Sequence, residues 1–278
     1  MSESQHSLLR RYGIRPVKRR GQNFLVDGNL ARAIALETLK VSDRVLELGA
    51  GAGALTVHLL ASASRVVCVE VDRHLCELLR AEFGQQEQFQ LIEGDLAKMD
   101  WTAALASTGE NPVIAGNLPY VLTSTVLFAL ADLREGISGG VFMVQKEVAE
   151  RLTATCGGRN YGILAVVLGS VFEVKIIRKV AASVFWPRPE VESAIIRLVP
   201  NRSWAHADFD NFASVVKTLF GQRRKKLRTQ LRVHFDLKDK TVDELSASIG
   251  IDPDRRPEQI DPAGFQRLAE ALTRRDEG

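Results

Sequence analysis

A chain of 278 residues, 45% hydrophobic and 26% charged, has the balance of an ordinary globular protein and the length for one large domain plus a smaller one. No apolar run nears the roughly 18–20 residues that span a bilayer, and the N-terminus carries no apolar leader, so a soluble cytoplasmic protein is expected. The net charge is only +3, yet it is uneven, and that unevenness points to a polyanion partner rather than to a uniformly solvated surface.

The first basic block opens the chain. Between Glu3 and Asp27 there is no acid, while Arg10, Arg11, Arg15, Lys18, Arg19 and Arg20 are all basic. Residues 1–20 therefore read as a mobile basic tail. Gly21-Gln22-Asn23-Phe24-Leu25-Val26-Asp27 follows, with an apolar pair between polar residues and an Asp placed to cap a helix from about Asn29 to Leu39. It reads either as a plain capped helix start or as a strap across a pocket.

Next comes an apolar run, Arg44-Val45-Leu46-Glu47-Leu48, ending in Gly49-Ala50-Gly51-Ala52-Gly53-Ala54 and then a helix-like segment. This is a buried parallel strand, a turn that needs glycine, and a helix start. Gly49, Gly51 and Ala54 satisfy the G-x-G-x-x-G/A spacing of a dinucleotide turn, and the amino-acid part of S-adenosylmethionine suits the same turn. A strand over 65–71 carries Glu70 at its tip, about 20 residues past the first glycine, where an acid accepts from ribose hydroxyls. A strand over 89–94 ends at Asp95, which suits an adenine amine, an element that a dinucleotide fold does not call for.

Strands are further expected over 111–117 and 139–146, with helices over 53–63, 73–83 and 124–134 and a shorter piece near 99–106. This alternation predicts an α/β architecture, a parallel sheet covered on both faces. Ligands of such sheets bind at the carboxyl ends of the strands, and Gly49, Glu70, Asp95 and Asn117 all fall there. Beyond Lys146 the reading is a helix, a Gly157–Gly162 loop, an apolar helix from Ile163 to Phe172, and strands over 175–180 and 193–199. The strands are joined by a proline-stiffened loop that presents Phe185 and Trp186, one of them expected in the core. From about 203 to 278 only helical spacing remains. There the second basic block, acid-free from Asp210 to Asp236, holds Lys217, Arg223, Arg224, Lys225, Lys226, Arg228 and Arg232. Cys68, Cys76 and Cys156 form no paired motif and the histidines are scattered, so Cys68 and Cys76 read as core hydrophobes and no metal is expected.

Asn117-Leu118-Pro119-Tyr120 carries the chemistry. An adenine amine is a poor nucleophile because its lone pair is delocalised into the ring. The side-chain oxygen of Asn117 and the carbonyl of Leu118 are acceptors that can hold it. Pro119 fixes the turn without a competing N–H, and Tyr120 offers a face for the base. Asn117 has no titratable proton near neutrality, so its role is positioning.

Together with Gly21–Leu25 and Glu47–Gly51, this motif, the segment Phe185-Trp186-Pro187-Arg188-Pro189-Glu190-Val191-Glu192-Ser193-Ala194 and the segment from Phe220 to Arg228 resemble the ribosomal RNA adenine dimethylases, over about residues 15–270. The similarity is nearest to the bacterial small-subunit enzymes of that family. The resemblance implies a Rossmann-like class I methyltransferase sheet, mostly parallel with its last strand antiparallel, over residues 21–202, and a small all-α rRNA-binding domain over 203–278. It implies S-adenosylmethionine as cofactor, with Asn23 and Leu25 over it, Gly49 and Gly51 beside its amino-acid end, Glu70 at the ribose, Asp95 at the adenine and Asn117 between cofactor and target. Tyr120 and Phe185 would sandwich an extruded adenine, and Arg19, Arg20, Arg223, Arg224, Lys225, Lys226 and Arg228 would hold rRNA phosphates. The implied activity is N6,N6-dimethylation of two adjacent adenosines in the 3′-terminal hairpin loop of 16S rRNA, on an assembling 30S subunit, by a monomer. The alternatives are a 23S rRNA methylase of the drug-resistance type, a non-catalytic nucleic-acid-binding module, and a nicotinamide dehydrogenase, which accounts for the glycines and Glu70 but not for Asn117–Tyr120 or the basic blocks. Trp186 stands where the family usually has a smaller residue, and Val121 and Leu122 also depart from its pattern.

Overall fold

The computed structural model describes residues 4–17, 21–202 and 208–276. The chain divides into two compact units, Met1–Ala149 with Val174–Pro200, and Glu150–Glu173 with Asn201–Gly278. The division expected near residue 202 left Glu150–Glu173 with the sheet, whereas its contacts are with the C-terminal helices. Tyr161, 1% exposed, donates its hydroxyl to the Ile260 carbonyl at 2.9 Å and meets the Phe220 ring edge-on. Among the described residues no helix is long and apolar enough to cross a membrane.

The first unit is built on β1 (Phe24–Leu25), β2 (Arg44–Leu48), β3 (Arg65–Glu70), β4 (Phe89–Glu93), β5 (Val113–Asn117), β6 (Gly139–Gln145), β7 (Phe172–Val180), β8 (Phe185–Trp186) and β9 (Ser193–Pro200). A seven-stranded sheet runs in the order β4-β3-β2-β5-β6-β9-β7. The ladders β2–β3, β2–β5, β3–β4 and β5–β6 are parallel, and β9 joins β6 antiparallel with Met143 opposite Ile195. The mostly parallel sheet with an antiparallel last strand is therefore present. β2, β3 and β5 are buried almost without alternation because helices cover both faces.

Local chemistry sets the helix starts. Asp27 accepts from Leu30 N at 3.0 Å and begins α2 (Gly28–Leu39); Asp72 accepts from His74 N at 3.0 Å and begins the helix Arg73–Phe83. The helix expected from residue 53 is shorter, Thr56–Leu60, because Gly53 sits at φ 77° and belongs to the turn. The apolar segment expected as a helix from Ile163 winds as a π-helix over Leu164–Leu168.

The N-terminal reading needs correction. Within residues 1–20, α1 (Gln5–Arg11) is a helix and not a tail. Leu8 and Leu9 are buried at 7% and 1% exposure against Phe24, Ala52, Leu75 and Leu78. Arg11 and Tyr12 both reach Glu82, at 2.6 and 2.7 Å. Reading charge alone overlooked the two adjacent leucines, which supply the apolar face that docks the helix. The second unit consists of Phe209–Gly221, Leu227–His234, Asp239–Ile249 and Pro262–Asp276 with the segment before Glu173, and is helical.

Because Leu9 is enclosed, Leu9→Ala is expected to destabilise the first unit by roughly 2–4 kcal/mol. Urea denaturation followed by tryptophan fluorescence measures this. A change within the error of the wild type would return α1 to the status of a loose tail.

Candidate active site

β2 leads to β3 and β4 on one side of the sheet, and β5 and β6 continue on the other. The chain reverses its progress between β2 and β5, and the crevice of an open α/β sheet lies at the carboxyl ends flanking that reversal. A cleft with about 1080 Å³ of empty space, its open mouth included, sits there. Gly49 and Gly51 after β2, Glu70 at the tip of β3, Asp95 after β4 and Asn117 to Tyr120 at the tip of β5 all line it, together with Asn23 and Leu25. The strand tips that local sequence singled out thus share one cleft.

Glu70 organises the turn. It is 6% exposed; Oε2 accepts from Gly51 N at 2.9 Å, and Oε1 accepts from Val71 N and Asp72 N, each at 2.9 Å. Burial pushes its carboxyl upward and the three amides oppose that shift. Gly49 and Gly51 stand at φ 67° and 57°, where a side chain is strained. A Cβ on Gly49 would meet only the Asn117 carbonyl oxygen and the Pro119 ring, both at 3.9 Å, so this face of the turn is bare backbone open to the cleft.

The strap is held at both ends. Phe24 and Leu25 of β1 pair antiparallel with Trp186 and Phe185 of β8. The Asn117 amide donates through Nδ2 to the Asn23 carbonyl at 3.0 Å, which leaves Oδ1 as the acceptor on that side chain. Leu118 is 1% exposed, and its N–H donates to the Met143 carbonyl at 3.3 Å, tying the turn to β6. Pro119 takes φ −55°, and its carbonyl accepts from Leu122 N at 2.9 Å. The half-buried Tyr120 is fixed at its far end by a 3.1 Å hydrogen bond between its hydroxyl and Oγ of the buried Ser193.

Phe185 is the one of the pair Phe185 and Trp186 that lies in the core, away from the stacking position the resemblance implies for it. It is 4% exposed in the apolar core beside Leu25 and is not among the residues that line the cleft, so only Tyr120 of the expected aromatic pair borders it. The β1–β8 ladder, invisible in local sequence, turns this ring inward; Trp186 instead packs on Phe24 and the His6 ring. Of the basic residues singled out, Arg19 and Arg20 lie outside the described residues. Arg223 is bound to Glu258 at 2.6 Å, Lys226 to Asp254 at 3.2 Å and Arg228 to Asp243 at 2.7 Å. Arg224 and Lys225 are exposed and make no ion pair among the described residues.

Among the cleft residues given no role from sequence, Gln5 and Glu47 are polar and buried or half-buried. Gln5 lines the cleft from α1, and Ser4, which caps that helix by accepting from Ser7 N at 3.2 Å, is the local signal that marks its start. Glu47, 2% exposed, lies beneath the glycine turn, where Oε2 accepts from Thr56 Oγ1 at 2.7 Å and from the Cys68 thiol at 3.3 Å. Burial pushes its carboxyl up to about 7, the two hydrogen bonds only partly offset this, and the neighbouring Glu70 adds to it. An acid in the middle of an apolar strand was the available sign.

A mostly parallel seven-stranded sheet, an antiparallel strand inserted next to its edge, and a glycine-floored cleft ringed by carboxylate and amide acceptors define a class I methyltransferase. The model of the family described as Ribosomal RNA adenine dimethylase matches residues 16–274, and the chain belongs to that family and is an rRNA methyltransferase. It is 41% identical over 279 aligned positions to the Ribosomal RNA small subunit methyltransferase A of Anaeromyxobacter sp. (strain K), covering 97% of this chain and 98% of the relative. It is 39% identical to the protein of the same name from Pseudomonas aeruginosa, covering 94% and 96%. Among solved structures, a dimethyladenosine transferase from Plasmodium falciparum superposes with a TM-score of 0.72 at 24% identity, covering 88% of this chain and 96% of that one. The 23S rRNA methyltransferase ErmE does so with 0.68 at 24%, covering 90% and 100%. Both show the fold.

Glu47 supplies a pH test. The folded chain keeps a proton on it up to about pH 7, whereas the unfolded chain releases it near 4.5. Its contribution to stability is therefore full below the lower value and is lost as pH rises through the higher one. Between about pH 5 and about pH 8 the wild type should lose on the order of 2–3 kcal/mol that Glu47→Gln does not lose. Urea midpoints of both proteins at the two pH values check this; parallel pH profiles would remove the assignment.

Proposed function

We propose that this chain transfers methyl groups from S-adenosylmethionine to the N6 amines of two adjacent adenosines in the 3′-terminal hairpin loop of 16S rRNA, on the assembling small subunit. The observation that supports it best is the convergence of Gly49, Gly51, Glu70, Asp95 and Asn117–Tyr120 on one cleft, in a chain of the rRNA adenine dimethylase family. The residues fit the cofactor by their chemistry. A bare glycine turn suits close approach of an amino-acid chain. The carboxylates of Glu70 and Asp95 are acceptors, as ribose hydroxyls and an adenine amine require. Asn23 and Leu25 of the strap close the opposite side.

The cofactor, when bound, supplies an electrophilic methyl group on a sulfonium centre. The protein's part is to hold the amine. Oδ1 of Asn117 and the carbonyl of Leu118 accept its two hydrogens, which favours a localised lone pair on nitrogen over one delocalised into the ring. Pro119 and the Leu118–Met143 hydrogen bond keep these acceptors rigid. Tyr120 gives the base a stacking face, and Ser193 keeps that ring from swinging away. Asn117 takes no proton, so the proton on the methylated amine leaves to water. An adenine in a hairpin loop is already partly unstacked, so extruding it into the cleft costs little. The reading places the enzyme in the cytoplasm, acting as a monomer with the rRNA backbone held by Arg224 and Lys225, which among the described members of the expected rRNA-binding set make no ion pair.

Two outcomes test this. Asn117→Ala should keep the fold and lose at least about 100-fold in methyl transfer, because its acceptor acts on the reacting amine. The assay is mass mapping of adenosines in 16S rRNA within small-subunit particles. Methylation appearing only in 23S rRNA would support the alternative of a 23S rRNA methylase, and none in either would support the non-catalytic binder. Second, replacing Arg224 and Lys225 by Gln should lower the slope of log affinity against log salt by roughly 1–2 for rRNA binding, with folding unchanged. An unaltered slope would remove these two side chains from the interface.

A further inference from the structure

Gln5 sits where no role has been given to it. It is half-buried at the first position of α1, and Leu8 and Leu9, three and four residues on, share its face and are enclosed against Phe24, Ala52, Leu75 and Leu78. The helix is therefore docked, and its docking points Gln5 inward. The carboxamide borders the cleft, and its Oε1 is buried yet has no hydrogen-bond partner among the described residues. Leaving a buried acceptor unpaired costs about 1–3 kcal/mol, so such atoms are normally satisfied. The residues that hold α1 include Leu75 and Leu78 of the helix Arg73–Phe83, which follows directly on Glu70 at the tip of β3. Gln5 thus borders the Glu70 side of the cleft, the side read above as the ribose side.

We propose that Gln5 is a further cofactor-contacting residue, accepting a hydrogen bond from a hydroxyl or amine of the cofactor's nucleoside, and that α1 is a fixed wall of that end of the cleft. This rests on the cofactor reading above. Helix α1 then has two linked tasks. Its leucines close the apolar shell around Phe24 and Leu75, and that packing sets the position of one polar atom at the ligand. The entropy of ordering Gln5 is met by protein folding rather than by ligand binding, which is how a preorganised contact adds affinity.

The test uses full-length protein, with S-adenosylhomocysteine and 5′-methylthioadenosine as calorimetric probes; the second keeps the nucleoside and lacks the amino-acid part. Gln5→Met keeps the length of the side chain and removes the acceptor. It should weaken both probes by the same factor, roughly 5- to 10-fold, while the melting temperature of the ligand-free protein stays at or above that of the wild type, because the unpaired acceptor is gone. Unchanged affinity for both probes would overturn the proposal alone. A loss for S-adenosylhomocysteine without one for 5′-methylthioadenosine would move Gln5 to the amino-acid end and overturn its assignment to the nucleoside. Weaker binding accompanied by a lower melting temperature would make the effect one of packing and overturn it as well. Wild-type protein that bound neither probe would overturn the cofactor reading itself, and this proposal with it.

Discussion

The site depends on one buried carboxylate. Glu70 ends β3 almost wholly buried, where little water can solvate it, and uses both its oxygens on backbone amides. One amide belongs to Gly51 in the turn after β2; the other two, of Val71 and Asp72, begin the approach to the next helix. A single side chain therefore clamps the glycine turn to the neighbouring strand tip and sets the start of Arg73–Phe83. Charge-assisted bonds of this kind are about twice as strong as neutral ones, which is what makes the burial of the acid tolerable. Without the clamp, a turn of alternating glycines has too much conformational freedom to hold a shape.

A second layer of restraint lies around the Asn117–Tyr120 turn. Asn117 is tied to the strap, Leu118 to β6, and Tyr120 to Ser193 of β9. Each bond crosses to a different part of the chain. The turn is thus fixed by pieces up to 94 residues away in sequence, and an antiparallel strand next to the sheet's edge has a function: it brings Ser193 to the Tyr120 hydroxyl. The second unit shows the same economy with charge. Arg223, Lys226 and Arg228 are engaged with acids in helices and turns of their own unit, and their neighbours Arg224 and Lys225 are left outward.

Much of this was legible before any coordinates. Alternating apolar runs and amphipathic stretches are local signals, so the strands, their parallel pairing and the helical end of the chain could be read directly. So could the strand-tip residues Gly49, Glu70, Asp95 and Asn117, because a parallel sheet places every carboxyl end on the same side. What misled was also local. Residues 1–20 were read by their charge, and the Leu8-Leu9 pair needed a surface to dock on before it meant anything. Phe185 was read by its motif, and a two-residue ladder with Leu25 turned it into the core.

Sequence by itself determined the order of elements, the turn that only glycine can form, and the side chains at the strand tips, since each depends on a few consecutive residues and on the regular geometry of strand and helix. Tertiary structure alone decided which polar atoms are enclosed and with whom. The proton held by Glu47 to about pH 7, the unpaired oxygen of Gln5 and the split between paired and outward basic residues all arise from neighbours distant along the chain. Burial and pairing are sums over three-dimensional surroundings, and no window of adjacent residues contains them.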